Sequence, residues 1–138
     1  MKVRSHCPVN FTLEHFGDKW SFLIIRDLMF KGKRHYNEFL EAGEKVSTSV
    51  LGDRLKKLEE MGIITKGEDK VKKSRIRYSL TQKGIDLLPI LLEMIIWGGV
   101  NDELTESPRE FMDQAIKNKE ALINQIREEL IREHLSEE

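Results

Sequence analysis

The sequence predicts an α+β fold that is mostly α, with one β-hairpin set among amphipathic helices. Three observations lead to this prediction. Apolar residues recur every three or four positions along much of the 138-residue chain, as on one face of a helix. Between residues 63 and 80 the period changes to two around a lysine-rich tip, as in a hairpin. Short polar residues, glycines and prolines stand where the predicted helices begin and end.

The N-terminal part of the chain predicts two helices. The first covers residues 8–16, with Pro8 at the position where a helix best tolerates proline and Gly17 at its end. Asp18 is then expected to cap a second helix over residues 19–30. Apolar residues cover most of the circumference of this second helix, which predicts that it forms the core of the domain.

A pair of helices separated by a tight turn follows. Asn37 is expected to cap a compact helix that Gly43 closes. After a turn at residues 44–46, an apolar stripe predicts a helix over residues 47–61, and Gly62 can end it in the left-handed conformation. Three hydroxyl side chains stand at the start of this helix, where they can cap its free N–H groups: Ser47, Thr48 and Ser49.

A basic hairpin comes next. Its tip carries three lysines, and two arginines lie on the outward face of the returning strand: Lys70, Lys72, Lys73, Arg75 and Arg77. A helix with small polar residues at its start, backed by a basic hairpin, is the winged form of the helix-turn-helix, so residues 45–80 favour DNA binding. A small helix-plus-hairpin domain with ordinary solvated lysines is the alternative reading of this stretch.

The remaining chain predicts two long helices. Thr81 caps one over residues 82–100, in which Pro89 is expected to kink the axis. This helix is apolar nearly all round, so it must be buried on several sides. A second subunit is the simplest way to bury the sides that this small domain cannot. A capping box at residues 107–110 then opens a helix to about residue 135, whose apolar stripe must also pack on something. We therefore expect residues 103–138 to be a helical extension used in dimerisation, after a domain over residues 1–102.

Charge is unevenly distributed behind a formal net charge of −1. Residues 1–83 carry a net charge of +7 and residues 84–138 carry −8, which fits a polyanion-binding part followed by a solvated acidic part. The N-terminus has no apolar run typical of a signal peptide, and the apolar run at residues 85–97 is shorter than the ~20 residues of a membrane span. We therefore expect a cytoplasmic protein. A single cysteine excludes an internal disulfide but permits one between two chains.

Several motifs resemble the HxlR-type winged helix-turn-helix regulators, a MarR-like family. They are HCP at residues 6–8, GDKW at 17–20, IIRDL at 24–28, STSVLGDRLKKLEEMGII at 47–64, RYSLTQKG at 77–84 and LLPILLEMIIWG at 87–98. The resemblance covers residues 7–102, and residues 103–138 resemble an extension found in a subset of the family. It implies a prokaryotic transcription factor, often a repressor and sometimes an activator, that acts as a homodimer and needs no cofactor. The recognition helix would enter the major groove, and the first helix and the helices after the wing would make the dimer contacts.

The candidate DNA contacts each have a simpler alternative. The hydroxyls of the recognition helix can touch phosphates or bases, or only cap the helix. Arg54 is the best candidate for a guanine contact, but it can equally pair with a nearby acid. Lys57, Arg34 before the third helix and the basic residues of the hairpin are candidates for phosphate contacts. Two tryptophans on apolar helices, Trp20 and Trp97, are expected to belong to the core rather than to a ligand pocket.

Cys7 is a candidate thiol sensor. It stands at the start of a helix beside His6, and both features favour the reactive thiolate. In the resembled family some members sense oxidants or electrophiles through an N-terminal cysteine, so the effector could be a thiol oxidant or another small molecule. A quiet thiol at a dimer contact is the alternative.

Other classes of function are weaker readings. An enzyme using Cys7 with His6 or His15 would need a nucleophile and a base close in sequence, which is rare. The four histidines show no metal-ligand spacing. A winged helix used only for protein contacts would tend to lose the basic wing that this chain keeps.

Overall fold

The computed structural model describes residues 3–135. Within them eight helices and two strands follow one another as α1 (Pro8–Phe16), α2 (Ser21–Phe30), α3 (Tyr36–Leu40), α4 (Thr48–Glu60), β1 (Ile64–Glu68), β2 (Ile76–Leu80), α5 (Gln82–Ile85), α6 (Leu88–Asn101), α7 (Arg109–Lys117) and α8 (Lys119–His134). The mostly helical α+β fold with one hairpin is confirmed.

One hydrophobic core joins the helix-turn-helix to the hairpin and to the C-terminal helices. Ile25 of α2, Leu51 of α4 and Leu80 of β2 are almost completely buried in it, together with Leu88 of α6 and Leu130 of α8. Burying apolar surface of this kind is the main favourable contribution to folding. The core therefore includes residues from both sides of the boundary expected at residue 102.

The helix starts differ in two places from those predicted. Asp18 is not the N-cap of the second helix, because α2 begins at Ser21 after Trp20. The Asp18 carboxylate still accepts the N–H groups of Trp20 at 2.7 Å and Ser21 at 2.8 Å at the start of that helix. The third helix starts before Asn37, so the expected Asn37 cap is wrong. His35 precedes α3, and its N–H group donates to the Glu38 carboxylate one turn ahead, at 3.0 Å.

The hairpin has the predicted alternation over Tyr78, Ser79 and Leu80, whereas Ile76 nearer the tip is 45% exposed. Ile64 of β1 pairs with Leu80 of β2 in antiparallel register, and Tyr78 and Leu80 are buried. The outer edge of β2 is also bonded: the Tyr78 N–H donates to the Arg34 carbonyl at 2.8 Å, and the Leu80 N–H donates to Nδ1 of His134 at 3.0 Å. The hairpin is thus hydrogen-bonded both to a residue that precedes it in the chain, Arg34, and to one near the C-terminus, His134.

The long helix expected after the hairpin is two helices. α5 ends at Ile85 and α6 begins at Leu88. Pro89 therefore lies in the first turn of α6, where a missing N–H breaks no helical bond, and the expected kink is replaced by a break.

Residues 82–101 together are long and apolar enough to meet the length and composition of a membrane span, with a mean hydropathy of 1.4 in an 18-residue window. The apolar run is therefore longer than the one noted in the sequence. Length and composition are weak grounds for a span, because core helices of soluble proteins meet them too. Only 28% of that window is buried, and its buried residues include Leu88, Leu91 and Leu92, which pack in hydrophobic clusters.

The C-terminal extension also forms two helices instead of one. They are separated at Asn118, whose φ of −131° and ψ of 48° are not helical. Ser107 does not cap α7, which begins at Arg109 after Pro108 without a side-chain cap. The apolar stripe nevertheless packs as a stripe: its buried members lie against the same chain and are Met112, Ala115, Leu122 and Leu130.

Candidate nucleic-acid interface

The start of α4 is exposed and held in place by neighbouring helices. Ser47 acts as the helix cap, since its hydroxyl accepts the Val50 N–H at 3.2 Å, while the side chains of Thr48 and Ser49 face solvent. The Tyr36 hydroxyl of α3 donates to the Thr48 carbonyl at 2.9 Å. These bonds orient three hydroxyl-bearing residues at a helix N-terminus, which is a favourable place for a phosphate.

The turn before α4 is tied to the core helix α2. The Arg26 guanidinium donates to both oxygens of the Glu44 carboxylate, at 2.7 and 3.0 Å, and also to the Asp27 carboxylate. The bond to Glu44 and the buried Asp27 raise the pKa of Arg26, and the same guanidinium lowers the pKa of Glu44. This bidentate pair fixes the spacing between α2 and the turn that leads into the recognition helix.

The outward face of α4 contains one residue that the sequence argument missed. Ser49, Asp53, Lys56 and Glu60 are all exposed, and they recur at intervals of four, three and four residues along one side of the helix. Lys56 therefore shares a face with Ser49. The interval of seven residues between them was the signal that could have identified it from the sequence.

Arg54 does not lie on this outward face. Its guanidinium contacts the carboxylate of Asp53 and lies with Nε 3.2 Å from an Asp18 oxygen, and only 22% of its side chain is exposed. This geometry supports the ion-pair alternative and not the guanine contact. Lys57 is different, because its side chain is 60% exposed and only loosely paired with Asp53, at 3.7 Å. Lys57 remains a candidate and Arg54 becomes a link between α4 and the start of α2.

The wing tip presents its lysines around one buried carboxylate. Lys70, Lys72 and Lys73 are exposed, and Asp69 is 5% exposed. The Asp69 carboxylate accepts the N–H groups of Val71 at 3.1 Å and Lys72 at 2.9 Å. These N–H groups, with the side chain of His35, hold the pKa of Asp69 well below its usual range. The tip is therefore an ordered turn with outward positive charge.

Arginines near the wing divide into two groups. The Arg75 guanidinium is 3.4 Å from the Asp69 carboxylate and half exposed, and Arg77 is partly buried on β2. Arg34 is part of the fold: its Nε donates to the Tyr78 carbonyl and its Nη2 to the Ser79 hydroxyl, both at 2.6 Å. Its geometry does not support the expected phosphate contact, because the guanidinium replaces a strand partner at the edge of β2.

The wing and the recognition helix meet through two adjacent residues at the start of α3. His35 contacts Asp69 at the wing, with 2.6 Å between Nε2 and Oδ1, and Tyr36 contacts Thr48 at the start of α4. The exposed hydroxyls of α4 and the lysines of the wing therefore flank the same turn of chain. This arrangement brings the basic and the hydroxyl-bearing candidates into one surface.

A second, apolar surface lies on α6. Ile90, Met94 and Trp97 line an open groove, and Trp97 is 72% exposed. Trp97 is thus not a core residue, contrary to expectation, whereas Trp20 is partly buried. Further exposed apolar residues lie on α1 and are Val9, Phe11 and Leu13.

Cys7 is exposed and immediately precedes α1. The backbone N–H groups of Asn10 and Val9 lower the pKa of its thiol. These N–H groups belong to the first turn of α1, at the positive end of the helix dipole. An exposed thiol of this kind is partly ionised more readily than a free cysteine, which is the requirement for reaction with an oxidant.

Comparison with known proteins identifies the family. Residues 15–106 match the family model of the HxlR-like helix-turn-helix. The chain is 36% identical over 103 residues to YybR of Bacillus subtilis strain 168, an uncharacterised helix-turn-helix-type transcriptional regulator, covering 75% of this chain and 82% of that protein. The solved structure of PA1607 superposes with a TM-score of 0.66 at 31% identity over 77% of this chain and 72% of the other. The redox regulator HypR in its oxidised form superposes with a TM-score of 0.62 at 34% identity over 71% of this chain and 100% of the other. The chain belongs to the HxlR-like helix-turn-helix family of DNA-binding transcriptional regulators, which are not enzymes.

Proposed function

We propose that this regulator is a homodimeric repressor that binds a pseudo-palindromic operator in the cytoplasm. The observation that carries the proposal is the surface in which the exposed start of α4 and the basic wing flank the same turn of α3. A major groove admits one helix, and a hairpin beside that helix reaches the flanking backbone. Occupying an operator in this way blocks access to the promoter.

The individual contacts follow from exposure and charge. Thr48, Ser49, Lys56 and Lys57 of α4 face the groove, where the hydroxyls bond phosphates and the lysines reach bases or backbone. The wing residues neutralise phosphates, so the affinity falls steeply with salt. They are Lys70, Lys72, Lys73, Arg75 and Arg77.

The groove on α6 supplies the dimer contact in this proposal. Ile90, Met94 and Trp97 form an exposed apolar patch, and patches of this kind mark interaction sites. A two-fold dimer joined here would present two recognition helices. Its operator would have half-sites about 10–10.5 base pairs apart, or a multiple of that spacing.

Cys7 is proposed as the effector site, with a thiol oxidant as the effector class. Its exposure and its lowered pKa support this assignment, and one structural neighbour at 34% identity is described as a redox regulator. Oxidation would remove two electrons and two protons from two Cys7 thiols to give one disulfide between subunits, because each chain has a single cysteine. A small molecule bound elsewhere on the dimer is the other effector class.

The test is selection of bound fragments from sheared genomic DNA by the reduced protein, followed by titration of the enriched duplex at several salt concentrations. We expect one inverted repeat to be enriched. The double variant Lys72→Ala/Lys73→Ala should weaken binding about equally for all sequences and reduce the salt slope by up to about two. Lys117→Ala, a charge change on exposed α7, is the matched control and should bind as wild type.

Two results would contradict parts of the proposal. If no duplex is enriched even at low salt, the winged helix serves protein contacts and the DNA-binding proposal fails. Equal binding by oxidised and reduced wild type would remove Cys7 as the effector site and leave the operator-binding proposal intact. The result that supports the redox assignment is release of DNA from wild type, but not from Cys7→Ser, after mild thiol oxidation.

A further inference from the structure

His35 lies between two carboxylates that belong to different parts of the interface. Its Nδ1 is 2.9 Å from Oε1 of Glu38 in α3, and its Nε2 is 2.6 Å from Oδ1 of Asp69 in the wing. Only 13% of the His35 side chain is exposed. The imidazole is therefore the side-chain link between the helix-turn-helix and the tip of the hairpin.

Both partners of the ring can only accept hydrogen bonds when they are ionised. The Arg34 N–H, with the His35 side chain, lowers the pKa of Glu38, and the Lys72 N–H, with the same imidazole, lowers the pKa of Asp69. An ionised carboxylate has no proton to donate. Each of the two contacts is therefore a hydrogen bond only where the facing ring nitrogen of His35 carries a proton to donate.

The contact with Asp69 reaches the whole wing tip. The Asp69 carboxylate holds the N–H groups of Val71 and Lys72, and the Asp69 N–H donates to the Arg75 carbonyl at 2.9 Å. Because one side chain organises this turn, a shift of Asp69 moves the lysines that surround it.

We propose that His35 is a positioning residue for DNA binding. Its contacts with Glu38 and Asp69 set the position of the wing relative to the recognition helix. The neighbouring Tyr36 holds the start of α4 through the Thr48 carbonyl. The same two residues thus fix both halves of the DNA-contacting surface. This inference rests on the proposed operator binding.

Charged groups lie on both sides of the ring. Those that face it are Glu38 from α3 and Asp69 from the hairpin, and Arg75 lies 3.4 Å from the second oxygen of Asp69. Arg34 stands beside the ring in sequence and donates its N–H to Glu38 at 2.9 Å. Without the imidazole, both carboxylates lose this contact, so the wing loosens and DNA affinity falls.

The experiment is titration of the selected operator duplex with the full chain at constant pH and ionic strength. We expect His35→Gln to bind the duplex about three- to tenfold more weakly than wild type, which corresponds to part or all of one charge-assisted hydrogen bond. His35→Arg, which can donate to both carboxylates, should retain the affinity. His15→Gln is the control, because His15 is bonded to the Phe11 carbonyl within α1 and should bind as wild type.

Nuclear magnetic resonance of the free protein supplies an independent readout. His35→Gln should shift the amide signals of Val71 and Lys72. Unchanged amide signals and wild-type affinity in His35→Gln would overturn the inference while operator binding stands. Failure of wild type to bind any duplex at low salt would overturn the proposed function instead, and the amide signals would still decide the wing contact.

Discussion

Two apolar regions of this protein had the same sequence signature but different outcomes. For both the apolar helix after the hairpin and the apolar stripe of the C-terminal extension, the sequence predicted that another surface must bury the apolar residues. In the structure the extension covers itself on its own chain, with Leu130 in the main core and His134 bonded to β2. The outer face of α6 is uncovered, and its Trp97 is 72% exposed.

This difference shows that a periodic apolar pattern predicts that a helix face is buried, but does not predict which surface covers that face. The helical stripe of α8 reaches the core because the breaks at Asn118 and before Leu88 let the chain fold back. α6 uses one face for the same core, through Leu88, Leu91 and Leu92, and keeps the other free. The intrachain region should therefore govern stability, and the uncovered region should govern association.

The largest expected effect is on the covered region. Leu130→Ala should lower the free energy of unfolding by about 2–5 kcal/mol, because it removes a 1%-exposed side chain from the core and leaves a cavity. Urea unfolding at fixed protein concentration measures this change. Ile116→Ala on α7, where the side chain is 52% exposed, is the control and should cost far less. A Leu130→Ala variant that unfolds as wild type but dissociates more readily would place α8 in the dimer interface instead.

The next effect tests the uncovered region. Trp97→Ala should weaken the proposed dimer by at least roughly 30-fold, about 2 kcal/mol, because exposed aromatic residues at the centre of an interface carry much of its binding energy. Sedimentation equilibrium measures the dissociation constant. Leu104→Ala removes an 87%-exposed side chain that does not line the groove and should leave the dimer unchanged. Equal dissociation constants for Trp97→Ala and wild type would show that the chains associate through another surface.

The smallest effect concerns the link between the two regions. Lys119 of α8 forms an ion pair with Glu93 of α6, and both side chains are about half exposed. Lys119→Met should change the free energy of unfolding by no more than about 0.5 kcal/mol, since solvent and salt screen such pairs. Urea unfolding in low and high salt measures this, with any difference from wild type shrinking at high salt. A salt-independent loss above about 1 kcal/mol would mean that the two helices depend on this pair for their packing.

Sequence spacing predicted the exposed residues of the proposed DNA-contacting surface, but it did not predict which arginines pair within the fold. The exposed hydroxyls of α4 and the wing lysines lie where their spacing placed them, because period and turn chemistry are local properties. Arg34 and Arg54 were predicted to contact DNA; in the structure Arg34 donates hydrogen bonds to β2, and Arg54 forms an ion pair with Asp18. An arginine has the same charge in both roles, and only a partner distant in sequence distinguishes them.

Local sequence by itself determined the helical periods, the α1 helix from Pro8, the Gly62 turn with its φ of 77° and the alternation of the hairpin. These features depend on backbone conformations and side-chain faces within a few residues. Tertiary structure decided where the chain breaks, which apolar face finds cover and that His35 joins the wing to α3. Those outcomes depend on contacts between residues far apart in the chain, such as His35 with Asp69 and Leu80 with His134. Their free energy is gained only once the rest of the fold has brought them together.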